Sequence, residues 1–339
     1  ANFFFAPAIL IAILFFSNMM RKRALQLGSL TLPEYIAQQH GIKAGWSRTL
    51  QGFGGLITVL MMSTFIIAQV KALRSIASQW LGIPIDLGAF IMIAIIIGYT
   101  AAGGLAAVAW TDVVMVFGMS VAAIVMMFQI FGDTTLVDMI SKLNTIDPNL
   151  VNPPDATPYG NFRPAAFLTL PWAFLWAAVV PYMGIRFLGM KPTTKERHTA
   201  LIGLPLGIVL SLVPIVGMYV RSQGIDLPHA DDAMATYLHT YMPPVIAGLI
   251  SLFIVFAMGS TADSILHTMA SAVGHDLRIS IFGEREFSGR SRLIINRTTV
   301  VVLGFLGFIL YITSPPFFIN FLAYLGDRKS TRLNSSHYS

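Results

Sequence analysis

Long apolar runs separated by short polar loops dominate the chain. A helix needs about 20 mainly apolar residues to cross a bilayer, and such runs recur along most of the sequence. The pattern predicts an all-α integral membrane protein, because a helix satisfies its own backbone hydrogen bonds in lipid. We predict about eight full spans, at 1–19, 49–72, 87–107, 111–131, 166–185, 200–220, 245–272 and 296–314, and a ninth that begins at 316.

The basic residues between these spans predict the orientation. Lys and Arg are enriched in the cytoplasmic loops of membrane proteins. Fourteen of them lie in alternate loops, within 20–48, 186–199 and 273–297, against five on the opposite side. The bias places those three loops in the cytoplasm and the long polar loop at 132–165 outside. We therefore expect a multi-pass protein of the plasma membrane, with the lipid bilayer as a partner.

Prolines and glycines interrupt the apolar pattern at two places. Pro171 and Pro181 lie inside the predicted span 166–185, and proline removes a helix hydrogen bond. We expect this span to break or kink near Pro181, either as a simple proline kink or as a broken helix of the kind found in transporters. Gly103 and Gly104 are interpreted as a turn between two spans.

Composition and charge exclude several classes of function. Hydrophobic residues make up 55% of the chain and charged residues 11%, and the mean hydropathy is +0.70. The net charge of +6 is spread over short loops and forms no basic stripe, so we expect no nucleic-acid partner. The chain has no cysteine, which excludes disulfides and thiolate sites within it. Metalloprotease and serine-hydrolase motifs are absent from the sequence, so we do not expect an enzyme.

The two ends of the chain differ from the rest. Residues 327–339 are polar and follow an apolar segment abruptly, and they resemble the translation of a sequencing-adapter read-through. A polar cytoplasmic tail is the alternative. We take residues 1–326 as a partial transmembrane domain, because the sequence opens in an apolar segment without a starting methionine.

The most informative polar run is Phe256-Ala-Met-Gly-Ser-Thr-Ala-Asp-Ser264, inside the predicted span 245–272. Polar groups at membrane depth are costly and usually face an ion, a cavity or a partner. Ser260 and Thr261 offer hard oxygen ligands suited to sodium, and hydrogen bonding to the preceding turn is the alternative. Asp263 is either functional or part of a structural network. His267, one turn further on, either titrates or bonds a neighbouring helix.

Three further side chains are candidates for a role in binding or transport. Gln69 lies on an apolar helix, where it either faces a substrate or bonds a neighbouring helix. Trp176 either stacks on a ligand or anchors its helix at the membrane interface. Asp112 is predicted to lie at the cytoplasmic start of a helix, where a carboxylate interacts favourably with the helix dipole.

Three motifs resemble those of the sodium:solute symporter family. The first is Thr31-Leu-Pro-Glu-Tyr35, and the second is Tyr99-Thr-Ala-Ala-Gly-Gly-Leu-Ala-Ala-Val-Ala-Trp-Thr-Asp112. The third is the Ser-Thr-Ala-Asp-Ser run at 260–264, with Asp276 closing its helix. They occur in the order typical of the family, and the resemblance extends over residues 1–326.

The resemblance implies a fold and an activity. The implied fold is an inverted-repeat, leucine-transporter-type helix bundle, incomplete because the first core helix precedes the chain. The implied activity is sodium-coupled uptake of a small organic solute. The segments at 143–151 and 315–316 are similar to pantothenate-transporting members, so pantothenate or another small carboxylate is the expected solute. Related domains also occur joined to histidine-kinase modules, so a transporter-like membrane sensor is the alternative function.

The same resemblance implies roles for individual residues. Ser260, Thr261 and the carbonyl of Ala257 are expected to bind the co-transported sodium ion. Asp112 is expected on the inward route of the ion, and Asp263 is the second candidate for the ion route or for coupling. Gln69 and Trp176 remain possible substrate-facing residues. The oligomeric state is not predicted from the sequence.

Overall fold

The structure is a computed structural model that describes residues 7, 10–40, 44–151, 180–191, 193–227, 232–283 and 287–313. Within these ranges the regular secondary structure is helical and contains no strand, which confirms the predicted all-α fold. The helices are α1 (Asn18–Leu27), which continues a π-helical stretch Ala12–Ser17, α2 (Leu32–Gln39), α3 (Ala44–Leu81), α4 (Ile85–Asp133), α5 (Leu136–Ile146), α6 (Pro181–Leu188), α7 (Glu196–Ser211), α8 (Ile215–Ser222), α9 (Ala233–Tyr241), α10 (Pro244–Ser271), α11 (Arg278–Phe282) and α12 (Gly289–Thr313).

Six helical stretches in the described ranges are long and apolar enough to cross a membrane. Each coincides with a predicted span, which confirms the apolar pattern as the signal for these six. Most of the predicted span 166–185, the first residues of 1–19 and the ninth span at 316 lie outside the described residues. The six stretches are Gly45–Ser78, Ile85–Gly103, Trp110–Asp133, Glu196–Ser222, Pro244–Phe282 and Gly289–Thr313.

The predicted turn at Gly103 and Gly104 is wrong. The backbone remains helical through both glycines, so the third and fourth spans form the single helix α4. Glycine inside a helix costs only about 1 kcal/mol relative to alanine, and alanines, the best helix formers, flank this pair. Tyr99 and Gly118 lie far apart along α4, and they contact Gly259 and Phe253 of α10, respectively. Gly259 and Phe253 are less than two turns apart on α10, so α4 must curve to make both contacts.

The structure agrees with the predicted break at Pro181. Helix α6 begins at Pro181, and Val180 before it has an extended conformation with ψ of 146°. Proline suits the first helical position because its missing N–H would have no partner there. The chain therefore enters α6 from a non-helical residue, although Pro171 and Trp176 lie outside the described residues.

The helix α5 was missed because the region 132–165 was interpreted as a loop. Thr135 and Asp138 form a capping box, in which the Asp138 amide donates to Thr135 Oγ1 at 3.1 Å. Met139 and Leu143 lie one turn apart on α5 and are the buried residues of this helix. The Thr-x-x-Asp spacing before an apolar repeat was the signal for this helix.

The loops predicted to be cytoplasmic lie on the same side of the bundle. Arg21 in the first loop donates to the carbonyls of Lys191 and Thr194 in the second, at 3.1 and 3.0 Å. Glu34 in the first loop contacts His275 at the third, at 3.0 Å. Burial acts to raise the pKa of Glu34, but the hydrogen bonds from His275 and the Leu30 amide outweigh it and hold that pKa below its usual value. These contacts agree with the orientation predicted from the basic residues.

Glycines allow close packing between the long helices. A Cβ atom on Gly307 of α12 would lie 2.4 Å from Cγ2 of Ile66 on α3, and one on Gly304 would lie 2.4 Å from Ile97. Ile66 is completely buried, so it has little room to move. Small residues at such contacts let helix backbones approach each other in membranes.

We predict that Gly307→Ala destabilises the protein by about 1–3 kcal/mol, because overpacking forces buried side chains to shift. Thermal unfolding in detergent measures the effect, and Ile66→Ala should relieve part of it by removing the clashing methyl group. The matched control is Gly98→Ala, since a Cβ there meets nothing within 4 Å. A Gly307→Ala protein that melts at the parent's temperature would contradict the packing argument.

Candidate functional site

Three oxygen atoms implied to bind sodium lie together on α10. Ser260 Oγ donates to the carbonyl of Ala257 at 3.0 Å, and Thr261 Oγ1 donates to the same carbonyl at 3.1 Å. The spacing of three and four residues brings all three groups to one face of a helix. The arrangement has the back-bonded geometry named as the alternative, and it also groups three hard oxygens. A sodium ion at this point would take the hydroxyl lone pairs once the protons turn away from the carbonyl.

Hydroxyl groups continue along the same helix toward the end predicted to be cytoplasmic. Ser264 Oγ donates to the carbonyl of Ser260 at 3.0 Å, and Thr268 Oγ1 donates to that of Ser264 at 2.8 Å. Residues four apart lie one above another on a helix. The candidate sodium ligands therefore stand at the start of a polar stripe inside an otherwise apolar bundle.

An arginine from another helix contacts this polar stripe, and the sequence interpretation did not select it as a site residue. Arg186 of α6 donates to the Ser264 hydroxyl, and its guanidinium lies 2.6 Å from Asp112 Oδ2. Their side chains are 38% and 18% exposed. An arginine shortly after a proline-broken apolar helix was the available signal, but the partner could not be identified from the sequence.

The expected position of Asp112 at a helix start is wrong. The residue lies in the interior of α4, because the helix does not break at the glycines before it. Its carboxylate is therefore not at the start of its own helix, and its partner is a cation on another helix. The structure places Asp112 beside the polar stripe of α10 through Arg186.

Asp263 lies deeper and is only 2% exposed. Its Oδ1 atom lies 3.4 Å from His267 Nε2, one turn further along α10. Within the described ranges neither atom has a hydrogen-bond partner of good geometry, and the hydroxyl of Thr100 on α4 lies near the Asp263 carboxylate. Buried polar atoms without partners are rare and point to a missing water, ion or proton.

Thr100 and His267 border a cavity of about 300 Å³. Polar side chains from α4, α6 and α10 line it, and α12 closes the remaining side. The cavity reaches the basic loop predicted to be cytoplasmic. The polar residues that line it are Thr100, Arg186, Ser264, His267, Thr268, Ser271, Asn296 and Arg297.

The two possible substrate-facing residues gain no support from the structure. Gln69 is half-buried on α3, and no hydrogen bond to another described residue places it. Trp176 lies outside the described residues. The polar groups that converge are therefore those of α4, α6, α10 and α12.

Comparisons with known proteins agree with these features. A sequence profile for the sodium:solute symporter family matches residues 1–324. The high-affinity proline transporter PutP of Bacillus subtilis is 23% identical over 292 residues, which are 83% of this chain. A sodium/pantothenate symporter of Haemophilus influenzae is 29% identical over 202 residues, which are 57% of this chain.

The fold also resembles a solved structure. A Na⁺-coupled sialic acid symporter, in a substrate-bound outward-open state, superposes with a TM-score of 0.64 at 15% identity. The superposition covers 97% of this chain and 74% of that one. The chain spans 59% of the length of the proline transporter and 40% of that of the pantothenate symporter.

Proposed function

The chain belongs to the sodium:solute symporter family, and from that premise we propose that the complete protein takes up a small carboxylate together with sodium. The observation that carries the proposal is the grouping of Ser260, Thr261 and the Ala257 carbonyl on α10. Such hard oxygens suit sodium, which must replace its hydration shell when it binds.

The relatives support a small carboxylate as the solute. The Bacillus protein is named as a proline transporter and the Haemophilus protein as a pantothenate symporter. Both solutes carry a carboxylate, so proline and pantothenate are equal candidates for this protein. Arg186 and Arg297 line the cavity beside α10, and a guanidinium is well suited to bind a carboxylate.

Proton coupling is the second candidate, because the buried Asp263 lies beside His267, and its Oδ1 atom and His267 Nε2 have no hydrogen-bond partner of good geometry in the described part of the chain. A carboxylate at membrane depth that lacks a cation can carry a proton in a transporter. In that mechanism Asp263 would accept the proton and the hydroxyls of α10 would only bond the helix.

Uptake by the complete protein in proteoliposomes tests the proposal. We expect an inward sodium gradient to drive accumulation of labelled proline or pantothenate, and an equal potassium gradient to drive none. Uptake driven by a proton gradient without sodium would favour the second candidate. If neither solute accumulates under any gradient, the proposed solute class is wrong.

A further inference from the structure

A buried polar cluster ties the cytoplasmic end of α10 to two other helices. Asp276 is 0% exposed and lies in the π-helical stretch Ala272–Leu277 that continues α10. Its Oδ1 atom accepts from Thr31 Oγ1 at 2.6 Å and from Gln51 Nε2 at 2.9 Å. One carboxylate therefore joins the start of α2, the cytoplasmic part of α3 and the end of α10.

Glycines on α3 make this approach possible. A Cβ on Gly55 would lie 2.9 Å from Cβ of Asp276, and one on Gly54 would lie 3.0 Å from Cβ of Pro33. Real Cβ atoms essentially never come under 3.0 Å, so α3 can lie this close only with glycine at 55. The Glu34–His275 pair adds a second contact between α2 and the same stretch.

Burying this cluster costs folding free energy, so stabilising the fold alone does not explain it. Asp276 Oδ2 has no hydrogen-bond partner within the described residues. A half-satisfied buried carboxylate is less stable than well-packed apolar residues of similar volume. π-helical turns inside longer helices also occur frequently at functional sites. Both features indicate that the cluster serves a purpose beyond folding.

The position of the cluster indicates that purpose. Asp276 shares a narrow void with Pro181 and Ile185 of α6 and with Thr268 of α10. Ile185 and Thr268 also line the larger cavity that Arg186 borders. The cluster therefore lies directly behind the contact between α6 and α10, at the end of the cavity nearest the predicted cytoplasmic side.

We propose that Asp276 is a positioning residue that holds the end of α10 against α2 and α3 and so limits access from the cytoplasm to the cavity beside Arg186. The hydrogen bonds from Thr31 and Gln51 must break for this end of α10 to move away from α2 and α3. This inference rests on the proposed transport function, since a transporter must open this side in turn.

Cysteine labelling tests the proposal directly, because the chain contains no cysteine of its own. Ser271→Cys in the complete protein places a thiol on the cavity wall, after any cysteine outside this chain is replaced by serine. An impermeant maleimide is then applied to the cytoplasmic face of membrane vesicles without sodium or solute. Adding Thr31→Val or Asp276→Asn should raise the labelling rate about tenfold, as expected for the loss of a hydrogen bond to a charged group.

Thr49→Val is the matched control, because Thr49 lies on α3 and, among the described residues, its hydroxyl bonds the Gly45 carbonyl of its own helix and not another helix. Its labelling rate should equal that of the parent. Thr31→Val keeps the shape of the side chain but also removes the cap that Thr31 Oγ1 gives the Glu34 amide at 3.2 Å. Gln51→Leu removes only the second donor to Asp276, so it should raise the labelling rate in the same way if Asp276→Asn fails to fold. A lower melting temperature with an unchanged labelling rate in Thr31→Val would overturn the proposal. Since the assay contains no sodium, its outcome is independent of whether Ser260 and Thr261 bind the ion.

Discussion

Replacing Ser260 and Thr261 together with alanine should raise the sodium concentration for half-maximal uptake by at least about tenfold. Hydrogen bonds and dipole contacts to a charged group contribute about 1.5–3 kcal/mol each, and the double variant removes two oxygens from the group at Ala257. Initial uptake rates in proteoliposomes, measured over a range of sodium concentrations, give the effect. The maximal rate at saturating sodium should fall less than the apparent affinity.

Ser120→Ala is the control for this change. Ser120 is also buried in a span and bonds the carbonyl one turn earlier, Val116, at 2.7 Å, but it lies away from the polar stripe. Its loss should leave the sodium dependence unaltered. If the well-expressed double variant keeps the parent's sodium dependence, the two hydroxyls only bond their helix and the sodium site is elsewhere.

Replacing Arg186 with glutamine should reduce the rate of uptake by about tenfold or more, because Asp112 would lose its cation and Ser264 its donor. The pair is partly exposed, so breaking it should lower the free energy of unfolding by no more than about 1 kcal/mol. Arg186→Lys restores the charge without the planar fork and should recover part of the rate. The measurement is the initial uptake rate per folded transporter.

The pair hypothesis also predicts how the changes combine. If Arg186 and Asp112 act together, Arg186→Gln with Asp112→Asn should be no worse than the poorer single variant. Arg221→Gln is the matched control, since Arg221 pairs with the exposed Asp226 at 2.7 Å, away from α10. Additive losses in the double variant would indicate that the two residues act separately.

Local patterns in the sequence were enough to predict the membrane spans and the group on α10. Crossing a bilayer requires about 20 apolar residues, so six spans are readable from hydropathy without any tertiary contact. Basic residues predicted which loops share a side, and the contacts of Arg21 and Glu34 agree. Ala257, Ser260 and Thr261 converge because helical spacing alone brings residues three and four apart together.

Local patterns failed where the weak turn preference of two glycines competed with strong helix formers on both sides. Two glycines predicted a turn, but glycine costs a helix only about 1 kcal/mol, and the flanking alanines keep α4 continuous. That continuity moved Asp112 from an expected helix start to a helix interior. The capping box of α5 was a readable local signal that the loop interpretation passed over.

Only the tertiary structure decided which distant side chains meet. Arg186 reaches Asp112 and Ser264, and Asp276 joins Thr31 and Gln51, across long separations in sequence. Hydropathy is averaged over a span and does not specify the rotation of a helix about its axis. That rotation follows from packing, such as Gly55 against Asp276, where the absence of one Cβ sets how closely two helices approach. The sequence by itself thus determined six spans and the grouping of three oxygens on one face of α10, whereas packing decided which charged side chains meet.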